Sequence, residues 1–410
     1  MSFRISCIFL LYSLNAFSQH DTLNNKTDSV RAATQANDSI TNDERDLGDI
    51  QGKFFHTLFG KPDTIARQEK KLYKALLPYI GFTQATSFIA GIGLEASYYT
   101  DNPDSVNFST INVSANYTAN NQLFFPLRLN YWSKRNNFNF PVEFIYFFYP
   151  QRTYGLGGES TLENVTKLQY KYVLLRLPVL KRIARHFYAG AGYALDYRWQ
   201  IEILEPPPGE DDFKKYGFTE SSSSSGPTLN ILYDSRHNIK NPQKGFYAYM
   251  VYRSNMTKLG SDENWEGLTV DVRKYFKLKE HSSNVLAFWS YNRLVLSGKP
   301  PYLDLPSTGR DPYFNQGRGY IQDRFRGKRL LAFESEYRFA ISRKGLIGGV
   351  VFANVQTVAQ GLHDRIDNLW PAAGLGVRIK LDKQSGTNLC IDFGIGKDSG
   401  SFFLSAGEVF

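Results

Sequence analysis

Cysteine is almost absent: the 410 residues hold two, Cys7 and Cys390. Cys7 opens a short apolar run, Cys7-Ile8-Phe9-Leu10-Leu11-Tyr12-Ser13-Leu14, that follows Arg4 and precedes small residues at Ala16 and Ser18. This is the pattern of a secretory signal at 1–18, cut before Gln19. Cys7 stands ahead of most of the apolar core, which excludes a lipid-modified cysteine. With the signal removed Cys390 has no partner, so neither an intrachain disulfide nor a thiolate metal cluster is expected. Long apolar runs are missing too, and none reaches the ~18 residues of a spanning helix. Catalytic signatures are equally absent. There is no G-x-S-x-G elbow, H-E-x-x-H or P-loop, and the six histidines lie apart, so no enzyme, cofactor or metal site is expected. The formal net charge of +9 would point to nucleic acid. Export and the scatter of basic residues among aromatics exclude that partner.

Aromatic residues make up 15% of the chain and charged ones only 21%. Export, no spanning helix and many aromatics together predict an all-β protein, an antiparallel transmembrane β-barrel whose outer face meets outer-membrane lipids. The alternation carries that reading. In STINVSANYT, Ile111, Val113, Ala115 and Tyr117 oppose Asn112, Ser114, Asn116 and Thr118. FESEYRFAI sets Phe333, Ser335, Tyr337 and Phe339 against Glu334, Glu336 and Arg338, and LTVDVRKYF and NLCIDFGIG repeat the pattern. Sixteen strands are expected, near 77–83, 86–99, 107–118, 121–133, 137–149, 164–177, 186–203, 225–234, 244–255, 266–276, 284–297, 329–341, 345–358, 370–381, 387–397 and 401–410. Connections after even-numbered strands are short, whereas 150–163, 204–224, 298–328 and 359–369 are long. That parity fits short periplasmic turns and longer external loops; a secreted β-sandwich or β-helix would share the alternation but not the parity.

Ahead of the barrel at 77–410, residues 19–53 lack any aromatic and read as a disordered periplasmic leader. Residues 54–76 read as a short periplasmic or plug helix. Some charged stretches read as ordinary surface. The acidic, proline-stiffened Glu205–Asp212 run is a solvated external loop, Tyr154–Gly158 a glycine-rich external loop, Ser221–Ser225 flexible loop at the start of strand eight and no nucleophile array, and His237 part of a periplasmic turn.

The stretch NQGRGYIQDRFRGKRLLAFESEYRF, residues 315–339, crowds arginines into a glycine-rich loop beside a strand with inward carboxylates. If that loop folds into the lumen, Arg318 needs a carboxylate partner on the inner wall, because an unpaired buried charge costs several kcal/mol. Gly317 and Gly319 on either side permit the tight approach. Gln316-Gly317-Arg318-Gly319-Tyr320, between strands eleven and twelve of sixteen, resembles the Val-Arg-Gly-Phe/Tyr signature of the BamA/TamA superfamily, the bacterial surface-antigen barrels. The resemblance implies a lumenal loop whose arginine meets a glutamate on strand twelve, here Glu336 with Glu334 nearby. It also implies an aspartate on strand thirteen, where this chain has Asn354. The segment YDSRHNIKNPQKGFYAY, with Asp234, Arg236, Asn241, Pro242, Gly245 and Phe246, is similar to the family's turn between strands eight and nine. The final strand, with Phe402, Leu404 and Phe410, looks like the assembly signal of outer-membrane clients.

The family carries periplasmic polypeptide-transport modules before the barrel. Residues 19–76 hold nothing that reads as such a module, so the chain resembles a short member without them. The implied role is assistance in insertion, assembly or translocation of proteins at the outer membrane, with client outer-membrane proteins or assembly-complex subunits as partners and an opening seam between the first and last strands. A gated diffusion channel and a non-catalytic partner subunit of a larger assembly complex are the alternatives.

Overall fold

The computed structural model describes residues 45–46, 72–83, 86–101, 106–209, 211–236, 238–279, 284–382 and 386–410. Sixteen long strands follow in chain order: β1 (Leu72–Thr83), β2 (Ser87–Tyr98), β3 (Ser109–Thr118), β4 (Leu123–Trp132), β5 (Phe138–Phe148), β6 (Thr166–Ala184), β7 (Phe187–Glu205) and β8 (Ser221–Asp234). The second half holds β9 (Gly245–Asn255), β10 (Trp265–Lys277), β11 (Val285–Gly298), β12 (Arg329–Ala340), β13 (Ile347–Ala359), β14 (Trp370–Asp382), β15 (Thr387–Gly396) and β16 (Ser399–Ala406). Each pairs antiparallel with its chain neighbours, and β1 also meets β16, which closes the sheet into a barrel. A short stretch, Gln151–Thr153, continues the line of β5 and pairs with β6.

The period-two pattern sets which way each residue faces. On β12, Glu334, Glu336 and Arg338 are buried in the lumen while Phe333 points out, 46% exposed. On β15, Cys390 and Asp392 face in, and Phe393 and Ile395 face out. Along β5 the outward positions read Phe138, Phe140, Val142, Phe144, Tyr146 and Phe148, an unbroken apolar stripe. Closure is the only all-sheet solution that leaves no backbone group unpaired in lipid, and the seam departs from it as described below.

Three expectations need correction. Leu72–Leu76 belong to β1, not to a helix over 54–76, so the first strand is twelve residues long; the rest of that stretch lies outside the described residues. Ser221–Ser225 is not flexible loop but strand, the start of β8, with Ser222 and Ser224 buried where the lumenal loop packs against the inner wall and Ser225 buried under the turn after β9. The loop after β7 carries a single helical turn, α1 (Asp212–Gly217), capped by the Asp211 carboxylate that accepts from Phe213 N at 3.0 Å. The last strand stops at Ala406 and not at 410. The signal segment and His237 lie outside the described residues. Of the leader, Arg45 and Asp46 are described: Arg45 N–H donates to Lys344 O at 2.9 Å in the turn after β12, and Asp46 is buried.

Candidate functional site

The loop after β11, residues 299–328, crosses the lumen and is held at several levels. Nearest the mouth, a turn of 3-10 helix (Tyr302–Asp304) lowers Asp304 onto the far wall. There Arg198 Nη1 of β7 donates to Asp304 Oδ1 at 2.6 Å, and Ser224 Oγ of β8 to Oδ2 at 2.5 Å. The Arg198 guanidinium lies 4.1 Å from the Tyr172 ring centroid, and Phe213 of α1 packs 4.8 Å from the Tyr302 ring. Inside the loop, Asp323 is gripped by Arg310 (Nε–Oδ1 2.9 Å) and Arg326 (Nη2–Oδ1 2.7 Å). Burial opposes the Asp323 carboxylate, yet the two guanidiniums hold it below the ordinary value. Asp311 is the converse. Burial pushes its carboxyl up, although backbone N–H groups of Gln316 and Asn315 each donate to it at 2.7 Å.

At the inner end stands Arg318, with no exposed surface. Its Nε donates to Glu334 Oε1 at 2.8 Å, its Nη2 to Glu334 and to Glu336 (2.5 Å to the latter), and its Nη1 to Asp392 Oδ2 at 2.7 Å. The Cζ atom sits 3.7 Å over the Phe352 ring. Gly319 has φ +105, and a Cβ there would lie 2.7 Å from the Ala372 Cβ; a Cβ on Gly394 would lie 2.8 Å from Gly319 N. The loop backbone therefore lies directly against β14 and β15, a fit that needs glycine on both surfaces. Gly317 also has positive φ, +79. Gly319 N–H donates to Ser401 Oγ of β16 at 2.7 Å, and Tyr320 OH to Pro371 O at 2.7 Å.

Two of the three carboxylates around Arg318, those of Glu336 and Asp392, belong to a closed circuit of alternating charge. Asp392 pairs with Arg378 (2.5 Å), Arg378 with Glu408 (2.7 Å), Glu408 with Arg338 (3.6 Å), and Arg338 Nε with Glu336 (2.6 Å), which returns to Arg318. All six side chains are buried. An unpaired charge there would be expensive, so each member depends on both neighbours.

Sequence reading placed Glu336 and Glu334 beside Arg318, and both touch it. Asn354 occupies the expected aspartate position but binds the arginine's backbone: its Nδ2 donates to Arg318 O at 2.7 Å. The missing carboxylate comes instead from Asp392 on β15, two strands further round. The turn motif is an element of the same assembly. Arg236 forks onto Asp234 (Nε–Oδ1 3.0 Å, Nη2–Oδ2 2.8 Å), and Gly245, at φ +116, leaves room for Ser235 O. Phe246 O accepts from Ser235 N, Asn241 Nδ2 reaches Gly386 O at 3.0 Å, and Pro242 O accepts from Arg338 Nη1 at 3.3 Å.

The last residues leave the final strand that was expected to run to 410. Phe402 does point outward, 38% exposed, with its ring 5.4 Å from Phe82, and Leu404 stands opposite Phe82. After Ala406, however, Gly407 takes φ +92 and turns the chain inward. Glu408 N–H donates to Lys240 O at 3.1 Å, and Phe410 packs 5.2 Å from the Trp289 ring while its carbonyl accepts from Arg338 Nη2 at 2.7 Å. Inside, Glu408 meets Arg378 and Arg338, and Phe410 enters an aromatic socket of Trp289 and Tyr275. Asp392, Glu408 and the Arg198–Asp304 anchor went unread in the sequence. For Arg198 and Asp392 the signal was a charge at an inward strand position, which Arg378 also shows.

Neither a protein-family model nor a curated protein sequence matches the chain. Solved structures similar to it include BamA from Haemophilus ducreyi lacking POTRA domains 1-3, at 13% identity and TM-score 0.55, covering 82% of this chain and 70% of that one. CdiB from Acinetobacter baumannii matches at 12% identity and TM-score 0.54, covering 83% and 60%. CdiB from Escherichia coli matches at 10% and 0.54, covering 83% and 64%, so the chain spans less than two thirds of either CdiB. Identities this low speak for the fold. The chain is a sixteen-stranded antiparallel barrel with the fold of BamA and CdiB, in keeping with the BamA/TamA resemblance of its loop.

Proposed function

We propose that this barrel resides in the outer membrane and assists the insertion or translocation of other proteins there, by offering the edge of β1 to a client strand. The observation that carries this reading is the seam. β1 and β16 share one register pair, Phe82↔Leu404, against six between β3 and β4, the next fewest among neighbours of the sixteen long strands. On that register Ala406 falls opposite Ile80, and the chain then turns inward, so the backbone edge of Leu72–Tyr79 runs on past the end of β16. Unpaired N–H and C=O groups at membrane depth cost several kcal/mol each, and an incoming strand satisfies them by β-augmentation.

Latch roles for Arg318, Glu334 and Glu336 belong to this reading: the ion-pair circuit keeps the loop seated and the tail turned in, which holds the seam narrow at one point. Depletion of the protein, followed by quantification of outer-membrane proteins, tests the role. Loss of other barrels from the membrane is the expected result. Unchanged levels, combined with large stable conductance on deleting 312–327, would leave the channel alternative in its place.

A further inference from the structure

The ladder between β4 and β5 ends at the level where β4 begins. Leu123 pairs with Phe148, the last position of β5, and beyond it Gln151–Thr153 pairs with β6. Between this short stretch and the turn 119–122 lies a cavity of about 360 Å³, floored by Ile321, Gln322 and Asp323 of the lumenal loop. Its lining is rich in carboxamides: Asn120, Asn121, Gln122, Gln151 and Gln322. Gln151 Oε1 accepts from Tyr170 OH and from Arg310, a group that can only donate, which fixes Nε2 as the other end of that amide. The Nε2 atoms of Gln151 and Gln322 are buried and meet no acceptor. The lining therefore has spare donors.

Two cations stand at the cavity's edge. Arg152 and Lys167 occupy directly opposite register positions, and like charges so placed repel. Lys167 meets Glu205 at 2.6 Å, while Arg152 is exposed and has no carboxylate partner among the described residues. Just below, the outer face carries a contiguous aromatic patch: Phe125–Tyr146 at 6.1 Å, Tyr146–Trp199 at 6.2 Å and Tyr197–Trp199 stacked at 5.3 Å. Aromatic belts of this kind mark the headgroup level of a membrane. The cavity thus opens where the apolar stripe of β5 ends, at the end of the barrel that carries the long loops.

We propose that this cavity binds the phosphorylated sugar headgroup of an outer-leaflet glycolipid. The phosphate lies between Arg152 and Lys167, relieving their repulsion, and the sugar hydroxyls, which both donate and accept, meet the carboxamides. The acyl chains descend along Phe125, Tyr146, Tyr197 and Trp199. The site is independent of the seam and of any client.

The test uses the full barrel in phosphatidylcholine nanodiscs doped with diphosphoryl lipid A, counting lipid A molecules retained per barrel by native mass spectrometry after detergent extraction. Wild type is expected to retain one. The double variant Arg152→Ala/Lys167→Ala should retain roughly tenfold less or lower, since two charge-assisted contacts are lost, and Arg152→Gln alone an intermediate amount. Heat-dependent gel mobility reports that each variant is folded. Dephosphorylated lipid A should be retained as poorly by wild type as diphosphoryl lipid A is by the double variant. Equal retention of lipid A by wild type and both variants would overturn the proposal. So would equal retention of the dephosphorylated lipid, or full displacement by glucosamine phosphate at matched concentration, which would mark a soluble sugar phosphate as the ligand.

Discussion

Arg318→Ala is expected to free the loop and to cost the barrel about 3–5 kcal/mol, the range for removing one partner of a buried ion pair. The truncation would leave Glu334, Glu336 and Asp392 crowded together with no guanidinium between them, although Arg338 and Arg378 still reach Glu336 and Asp392. Two readouts follow. The variant should lose its compact gel mobility at a lower temperature than wild type, and protease should cut within 299–328, where wild type resists. Arg318→Lys separates charge from shape: an ammonium keeps the charge but cannot fork to three carboxylates, so it should recover only part of the loss. Unchanged mobility and unchanged protection in Arg318→Ala would mean that the buried network does not hold the loop.

The second large effect is expected at the tail. Glu408 joins Arg378 and Arg338, and the chain beside it covers Cys390, whose Sγ–H donates to Gly407 O at 3.1 Å. Cys390 is buried, so a water-soluble maleimide should label it slowly if at all. Glu408→Ala leaves two guanidiniums with a partner fewer each, and a lost charged hydrogen bond is worth about 1.5–3 kcal/mol. That is enough to raise the fraction of turned-out tail, and with it the labelling rate, by roughly tenfold or more. A Cys7→Ser background keeps Cys390 as the sole thiol. Equal labelling rates with and without Glu408 would show that the tail is held by the Phe410 socket and not by charge.

These two experiments bear on a site that the sequence disclosed unevenly. Strand number and the inward and outward faces follow from period-two alternation, and the need of a lumenal Arg318 for a carboxylate follows from the cost of an isolated buried charge, both local rules; that Glu336, with Glu334 nearby, would supply it was what the BamA/TamA resemblance implied. Asp392 was missed because its contact with Arg318 joins a loop to a strand 74 positions away, and alternation says that a residue faces inward without saying what it meets. The inward turn at Gly407 was missed for a related reason. Phe402, Leu404 and Phe410 continue one alternating series, and only the tertiary position of Arg338, Arg378 and Trp289 makes the lumen the better place for Glu408 and Phe410. Ser221–Ser225 misled in the opposite direction. Serine favours turns locally, but here the hydroxyls of Ser224 and Ser225 serve the loop anchor and the turn after β9.

The seam offers the most direct measurement. Phe82 and Leu404 are antiparallel Cα partners, close enough for a disulfide between cysteines placed there. In a Cys390→Ser background, Phe82→Cys/Leu404→Cys should oxidise to a locked barrel with normal heat-dependent mobility. Cells that depend on the locked form are expected to lose outer-membrane proteins as after depletion, and a reductant should restore them. Normal outer-membrane protein levels with the seam fully cross-linked would contradict the account.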